Sequence, residues 1–166
     1  MKKIMKFMPV AALVAVTSAG AGFAAELPKE GNYDYTSCAS GVGNRIDFSK
    51  TDYAYSWELT GINLSNPPGG MFDKGSFRCE GLSTSFGGKG TIDYFCESIF
   101  PDGGKTFLKF SGTPGPGGTA TREALAGTGK YEGMVSSGTV VTVALSSAKP
   151  GTLQACSHQT GTYKLK

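Results

Sequence analysis

From about residue 30 to its end the chain is a succession of short stretches in which apolar and polar residues alternate. They are broken roughly every eight to fifteen residues by clusters of Gly, Pro, Asn and Asp. No helix-length segment carries a helical period, so the pattern predicts an all-β protein. The clearest strand covers residues 53–62: Tyr53, Tyr55, Trp57 and Leu59 fall on one face, and Ala54, Ser56, Glu58 and Thr60 on the other. Further strands are predicted at 33–40, 76–82, 91–100, 105–111, 119–125, 138–146 and 156–165. Asn66-Pro67-Pro68-Gly69-Gly70, Pro101-Asp102-Gly103-Gly104 and Pro114-Gly115-Pro116-Gly117-Gly118 separate them as turns or loops, because proline removes backbone donors and glycine relaxes the backbone. Roughly eight antiparallel strands with no linker between them make a single β-barrel domain, residues 26–166, with a β-sandwich as the alternative.

Four cysteines, Cys38, Cys79, Cys96 and Cys156, allow three pairings. Gly87-Gly88 suits a two-residue hairpin turn, since glycine supplies the positive φ that such turns demand. A hairpin centred there sets Phe86 against Lys89, Gly81 against Tyr94 and Cys79 against Cys96. The two cysteines then form a non-hydrogen-bonded pair with Cα atoms about 4.5 Å apart, at the short end of the disulfide range. Cys38 and Cys156 lie on the first and last strands, which are neighbours in a closed barrel, so their bridge would tie its seam. Parity agrees: Cys38 shares a face with Asp34 and Thr36, and Cys156 with His158 and Thr160, whereas Cys79 and Cys96 lie with Phe77, Ile92 and Tyr94. A sandwich could carry the same two bridges.

Residues 1–25 read as a signal peptide, with Lys2, Lys3 and Lys6 ahead of an apolar stretch and then a run of small residues. The small-x-small rule favours cleavage after Ala24, with Gly22 two positions before it. The apolar run is too short and too glycine-interrupted to span a bilayer, so no membrane anchor is expected once the segment is cleaved. That address, periplasmic or secreted, agrees with disulfides. Three of the sixteen basic residues belong to the leader, which leaves thirteen against thirteen acidic ones. The formal +3 of the precursor is therefore no argument for nucleic acid, whose binders cluster Lys and Arg where this chain spreads them singly. With no close cysteine pair and one histidine, His158, neither a metal site nor a cofactor is expected.

No Gly-x-Ser-x-Gly elbow is present, and His158 reads as structural or solvent-facing. Glu58, Arg78 and Glu80 fall on the face opposite Trp57 and Phe77 and read as outward charges; Glu97, Glu123 and Arg122 also lie inside strands and read the same way. No catalytic residue is assigned. Tyr53, Tyr55 and Trp57 are the candidate ligand-binding residues: an aromatic row on one face serves either as core or as the lining or mouth of an apolar cavity, with loop 66–75 as its rim.

Gly127-Thr128-Gly129-Lys130-Tyr131-Glu132-Gly133, followed by the apolar strand Thr139-Val140-Val141-Thr142-Val143, resembles the glycine-rich motif of the allene oxide cyclase and dirigent β-barrel superfamily. There a Gly-Thr-Gly-x-aromatic-x-Gly stretch precedes a barrel strand. The resemblance implies an eight-stranded, calycin-like barrel and, since members with a cavity handle hydrophobic small molecules, a small hydrophobic ligand. It places no catalytic carboxylate or arginine on this chain. The expected function is a non-enzymatic secreted or periplasmic barrel that binds a small hydrophobic ligand, or a partner through its loops. Two alternatives stand beside it: a cyclase- or isomerase-like barrel enzyme that works by confining a hydrophobic molecule, and a structural or inhibitory protein with a filled core.

Overall fold

The computed structural model describes residues 28–166, apart from the side chains of Ala144 and Leu145. The expected leader lies outside the described residues. Eight strands follow one another: β1 (Glu30–Asp47), β2 (Tyr53–Ser65), β3 (Ser76–Phe86), β4 (Lys89–Ile99), β5 (Lys105–Gly112), β6 (Thr119–Gly127), β7 (Val135–Ser146) and β8 (Thr152–Lys164). Each pairs antiparallel with the next, and β8 returns to pair with β1, so the sheet closes into a barrel and the sandwich falls away.

All eight predicted strands are present, several of them longer than predicted. The first differs most. The prediction ends it at Ser40, yet β1 runs on to Asp47. A Cβ at Gly41 would stand 1.8 Å from the Glu58 carbonyl oxygen, and one at Gly43 would stand 2.5 Å from the Tyr55 ring. These glycines mark where the neighbouring strand and its aromatic side chain press against β1, which is the use of glycine inside a strand.

The hairpin register is as predicted. Gly87 and Gly88 take φ of 57° and 77°, Phe86 faces Lys89, and Cys79 faces Cys96. Cys38 faces Cys156 across the β1–β8 seam. Both disulfides form and they occupy opposite faces of the sheet: Cys79–Cys96 is buried inside the barrel, while Cys38 is exposed on its outer surface. Two disulfides point to an oxidising, extracellular-type environment. No helix of the described residues is long and apolar enough to cross a membrane.

On the outer face Arg78 bonds Glu58 at 3.0 Å and also pairs with Glu80, and Lys105 lies 2.9 Å from Glu97. His158 faces outward as well, its Nε2 2.9 Å from Asp34 Oδ1.

The interior packs in two clusters. At one end Tyr33, Met71, Phe72, Phe100, Tyr131 and Tyr163 close the barrel; toward the other lie Trp57, the Cys79–Cys96 bridge, Leu108, Phe110 and Val140. Loop 66–75, expected to form the rim of a cavity, is instead the stopper of this closed end. Prolines and glycines say that the chain reverses but not to which side, and the apolar pair Met71-Phe72 behind them decides the side. The loop is tied inward by Asp73, whose carboxylate accepts from the backbone N–H of Ser65 at 2.8 Å and of Gly69 at 2.9 Å, and by the Ser65 hydroxyl, which donates to the Met71 carbonyl at 2.9 Å. Burial works against the charged form of Asp73, yet these donors hold its carboxyl below the usual carboxylate range. The Gly127-to-Gly133 segment supplies the rest of the stopper: it turns back on itself so closely that a Cβ at Gly127 would stand 2.2 Å from the Tyr131 carbonyl oxygen, and it lays the Tyr131 ring 4.5 Å from that of Phe100.

Candidate functional site

Above the stopper the inward faces of the strands enclose a cavity of about 300 Å³, at the small end of the range for ligand sites. An eight-stranded barrel has an interior just wide enough for this. Its wall is aromatic. The rings of Tyr94 and Phe110 stack at 4.5 Å, and Trp57 leans against Tyr94 at 5.3 Å. The indole fits because residue 81 is glycine; a Cβ there would stand 2.5 Å from both Trp57 Cζ2 and Tyr94 Cβ. Trp57 Nε1 donates to the Ser83 hydroxyl at 3.1 Å, which satisfies the one polar atom of the indole.

The floor is a chain of hydrogen bonds. Tyr35 donates to Gln159 Oε1 at 2.6 Å, Gln159 Nε2 to the Ser37 hydroxyl at 3.0 Å, and Ser37 to Asn63 Oδ1 at 2.7 Å. Such a buried network is rigid when each member is satisfied. At the mouth Tyr53 and Tyr55 are half-buried, and the Arg45 guanidinium lies 3.7 Å over the Tyr53 ring while its Nε donates to Asp47 at 2.6 Å.

Burial pushes the Tyr35 phenol up to about 12; the Arg122 guanidinium offsets part of this and Tyr33 adds to it. Burial likewise raises the phenols of Tyr94, Tyr131 and Tyr163. In the unfolded chain the same groups ionise near about pH 10, so their contribution to stability is intact below that pH and is lost as pH rises through about 12. In an alkaline ultraviolet titration a share of the tyrosinate signal is therefore expected to appear only together with loss of the β-sheet circular dichroism. Reversible ionisation of all seven tyrosines with the dichroism unchanged would contradict a sealed floor.

The three aromatic residues singled out from the sequence come together here: Trp57 deep in the wall, Tyr53 and Tyr55 at the mouth. Tyr94 and Phe110 complete the wall, and their strand parity, shared with Cys96 and with Leu108, was the signal that could have found them. The larger omission is Arg122. Its side chain crosses the barrel just below the floor, 3% exposed, with its guanidinium carbon 4.3 Å from the Phe72 ring centre and 4.5 Å from that of Tyr33. None of its three side-chain nitrogens has a hydrogen-bond partner among the described residues, and the hydroxyls of Thr106 and Ser136 are in the same condition. The sequence signal is slight: Arg122 alternates with Ala120 and Ala124, a face of small residues that leaves room for one long side chain.

Arg122 is not part of the cavity lining, and neither a carboxylate, an imidazole nor an amine lines it among the described residues; Arg45 at the mouth is its one ionised group. Among those residues no three His, Cys, Asp or Glu side chains are placed to hold a metal ion. The chain matches no protein-family model and no curated protein.

Proposed function

We propose that the protein is an exported, non-enzymatic barrel that holds a small hydrophobic, preferably aromatic, molecule in its cavity. The observation that carries this reading is the wall of Trp57, Tyr94 and Phe110 around an interior space that the side chains leave open. Flat rings in the wall favour a flat ligand, because offset stacking adds about 0.5–1.5 kcal/mol per pair to the burial of apolar area. The hydrogen-bonded floor offers orientation, and a described lining whose proton-transfer groups are tyrosines, with no carboxylate, imidazole or amine, favours holding over turnover. The likeness of the Gly127-to-Gly133 segment to the allene oxide cyclase and dirigent barrels supports the same ligand class, and the signal-like leader and the two disulfides support the periplasm or the exterior as its place of work.

Trp57 is the only tryptophan, so its fluorescence reports the cavity directly. Titration with the apolar probe N-phenylnaphthylamine is expected to quench Trp57 saturably at one probe per chain. Ala155→Phe, which fills lining space from β8, is expected to weaken the probe by at least about tenfold, a loss of about 1.4 kcal/mol, with the fold retained. Native mass spectrometry of protein from its own host then identifies the natural occupant as a mass lost on denaturation. An unquenched Trp57, together with a bare chain from the host, would overturn the reading in favour of an interaction or structural role.

A further inference from the structure

The rim of the open end is uneven, and its tall side is apolar. β1 pairs with β8 only as far as Val42 and Thr152, but with β2 as far as Asp47 and Tyr53. β3 follows β2 to Ser85, and β3 and β4 pair out to Phe86 and Lys89, whereas the β4–β5 pairing stops at Ile92 and Gly112. Residues 43–47 of β1 and 89–91 of β4 therefore project past β8 and β5, and with the ends of β2 and β3 they form a lip on one side of the mouth.

The outer surface of this lip carries Ile46, Phe48 and Phe86, which are 75%, 87% and 55% exposed. The turns that carry the two phenylalanines are adjacent: Phe48 N–H donates to the Asp52 carbonyl at 2.9 Å, and the Asp52 carboxylate accepts from Gly87 N–H at 2.9 Å, so one residue fastens the two turns side by side. The Ser49 hydroxyl donates to the same carboxylate at 2.9 Å and receives the backbone N–H of Thr51 and Asp52. The turn is thus braced while holding a phenylalanine in water. Leaving such a side chain exposed forgoes about 1.5–3 kcal/mol of burial, and clustered exposed apolar residues mark contact surfaces. Lys50 and Lys89 stand at the tip, and neither makes an ion pair among the described residues. The inner surface of the same lip is the cavity mouth, with Arg45, Tyr53 and Tyr55.

We propose that this lip docks on an anionic lipid surface, with Ile46, Phe48 and Phe86 entering the headgroup boundary and Lys50 and Lys89 meeting the anionic headgroups. Apolar tips flanked by cations are what an interfacial segment requires, and each lysine near such a surface contributes about 1 kcal/mol, a gain that salt diminishes. The barrel rests on the bilayer and does not span it, since Glu58, Arg78, Glu80, Glu97 and Lys105 interrupt the exposed apolar residues of its outer wall, such as Ile62, Phe95 and Phe107, and leave no continuous apolar band. Docked in this way, the mouth faces the bilayer, where a hydrophobic molecule is taken up or released without crossing water. The docking surface does not depend on what the cavity holds.

The test uses protein as its host exports it, with N-terminus and oxidation state verified by intact mass, and measures partitioning onto phosphatidylcholine vesicles with and without phosphatidylglycerol. Binding is expected to require phosphatidylglycerol. Lys50→Gln with Lys89→Gln should weaken it by on the order of thirtyfold, and Phe48→Ser with Phe86→Ser by at least about tenfold. Phe95→Ser with Phe107→Ser removes an equally aromatic pair, stacked at 5.8 Å on the side of the barrel, and should change nothing. Equal partitioning of the lip variant and the parent overturns the proposal, as does an equal loss in the side-wall variant. Absence of vesicle binding, with a concentration-dependent dimer that the lip variant abolishes, also overturns it and assigns the lip to a second copy of the chain. Quenching of Trp57 by N-phenylnaphthylamine is read separately in each variant, so failure of the cavity reading and failure of the lip reading are distinguishable.

Discussion

Removing the seam disulfide by Cys38→Ser with Cys156→Ser is expected to cost about 5 kcal/mol of stability, and removing the interior one by Cys79→Ala with Cys96→Ala about 3 kcal/mol. The order follows from loop length. The bridges close loops of sequence separation 118 and 17, and the entropy removed from the unfolded chain grows with the logarithm of that length. Topology acts in the same direction. Cys79 and Cys96 join two strands that a tight turn already holds in register, whereas Cys38 and Cys156 join the first strand to the last, a contact that no local turn supports. Serine is benign at the outer-face pair, so the measured loss there reports the cross-link; alanine is the better replacement inside, where a hydroxyl would be buried. His158→Ala, on the same outer face, removes only a half-exposed pair with Asp34 and should stay within about 1 kcal/mol. Urea unfolding of the oxidised proteins measures all three. A larger loss from the interior bridge than from the seam would mean that the hairpin and not the closure limits stability.

The same contrast explains which parts of this protein are legible in its residues. Turn chemistry acts over two or three residues and period-two parity over one strand, so Gly87-Gly88 fixes the β3–β4 register and with it the Cys79–Cys96 pair, and the alternation from Tyr53 to Trp57 puts three aromatic rings on one face before any tertiary contact is known. Closure adds one long-range inference, because the first and last strands of a barrel have nowhere else to pair. Where a residue's meaning depends on what approaches it from elsewhere, the pattern misleads. The first strand is predicted to stop at Ser40 because the Glu58 carbonyl and the Tyr55 ring that occupy the missing side chains of Gly41 and Gly43 come from another strand. The Pro67-Pro68-Gly69-Gly70 loop reads as exposed rim because the Tyr33, Phe100 and Tyr131 rings that receive Phe72 are spread across the chain. Arg122 reads as one more surface charge because a strand position has no sign of its own: inward and outward are settled by which face the rest of the barrel makes apolar.

Arg122 is also where the second large effect is expected. Arg122→Ala should destabilise the barrel by about 3–4 kcal/mol, since it empties a long side chain's volume from between Phe72 and Tyr33 and leaves the stopper unsupported. Arg122→Met keeps most of that volume and removes a guanidinium that has no hydrogen-bond partner among the described residues. Two aromatic faces at 4.3 and 4.5 Å return about 2 kcal/mol to a desolvated cation, whereas burying it costs several kcal/mol. The methionine variant should therefore match the parent or exceed it. A second readout is the pH dependence of that stability. Because Arg122 lowers the Tyr35 phenol from where burial alone would put it, Arg122→Met should move that ionisation still higher in the folded barrel, which widens its gap from the unfolded chain and deepens the loss of stability above about pH 10. A methionine variant as unstable as the alanine one would show that the charge itself, held against the π faces, keeps Phe72 in place, and that the closed end of this barrel is fastened electrostatically.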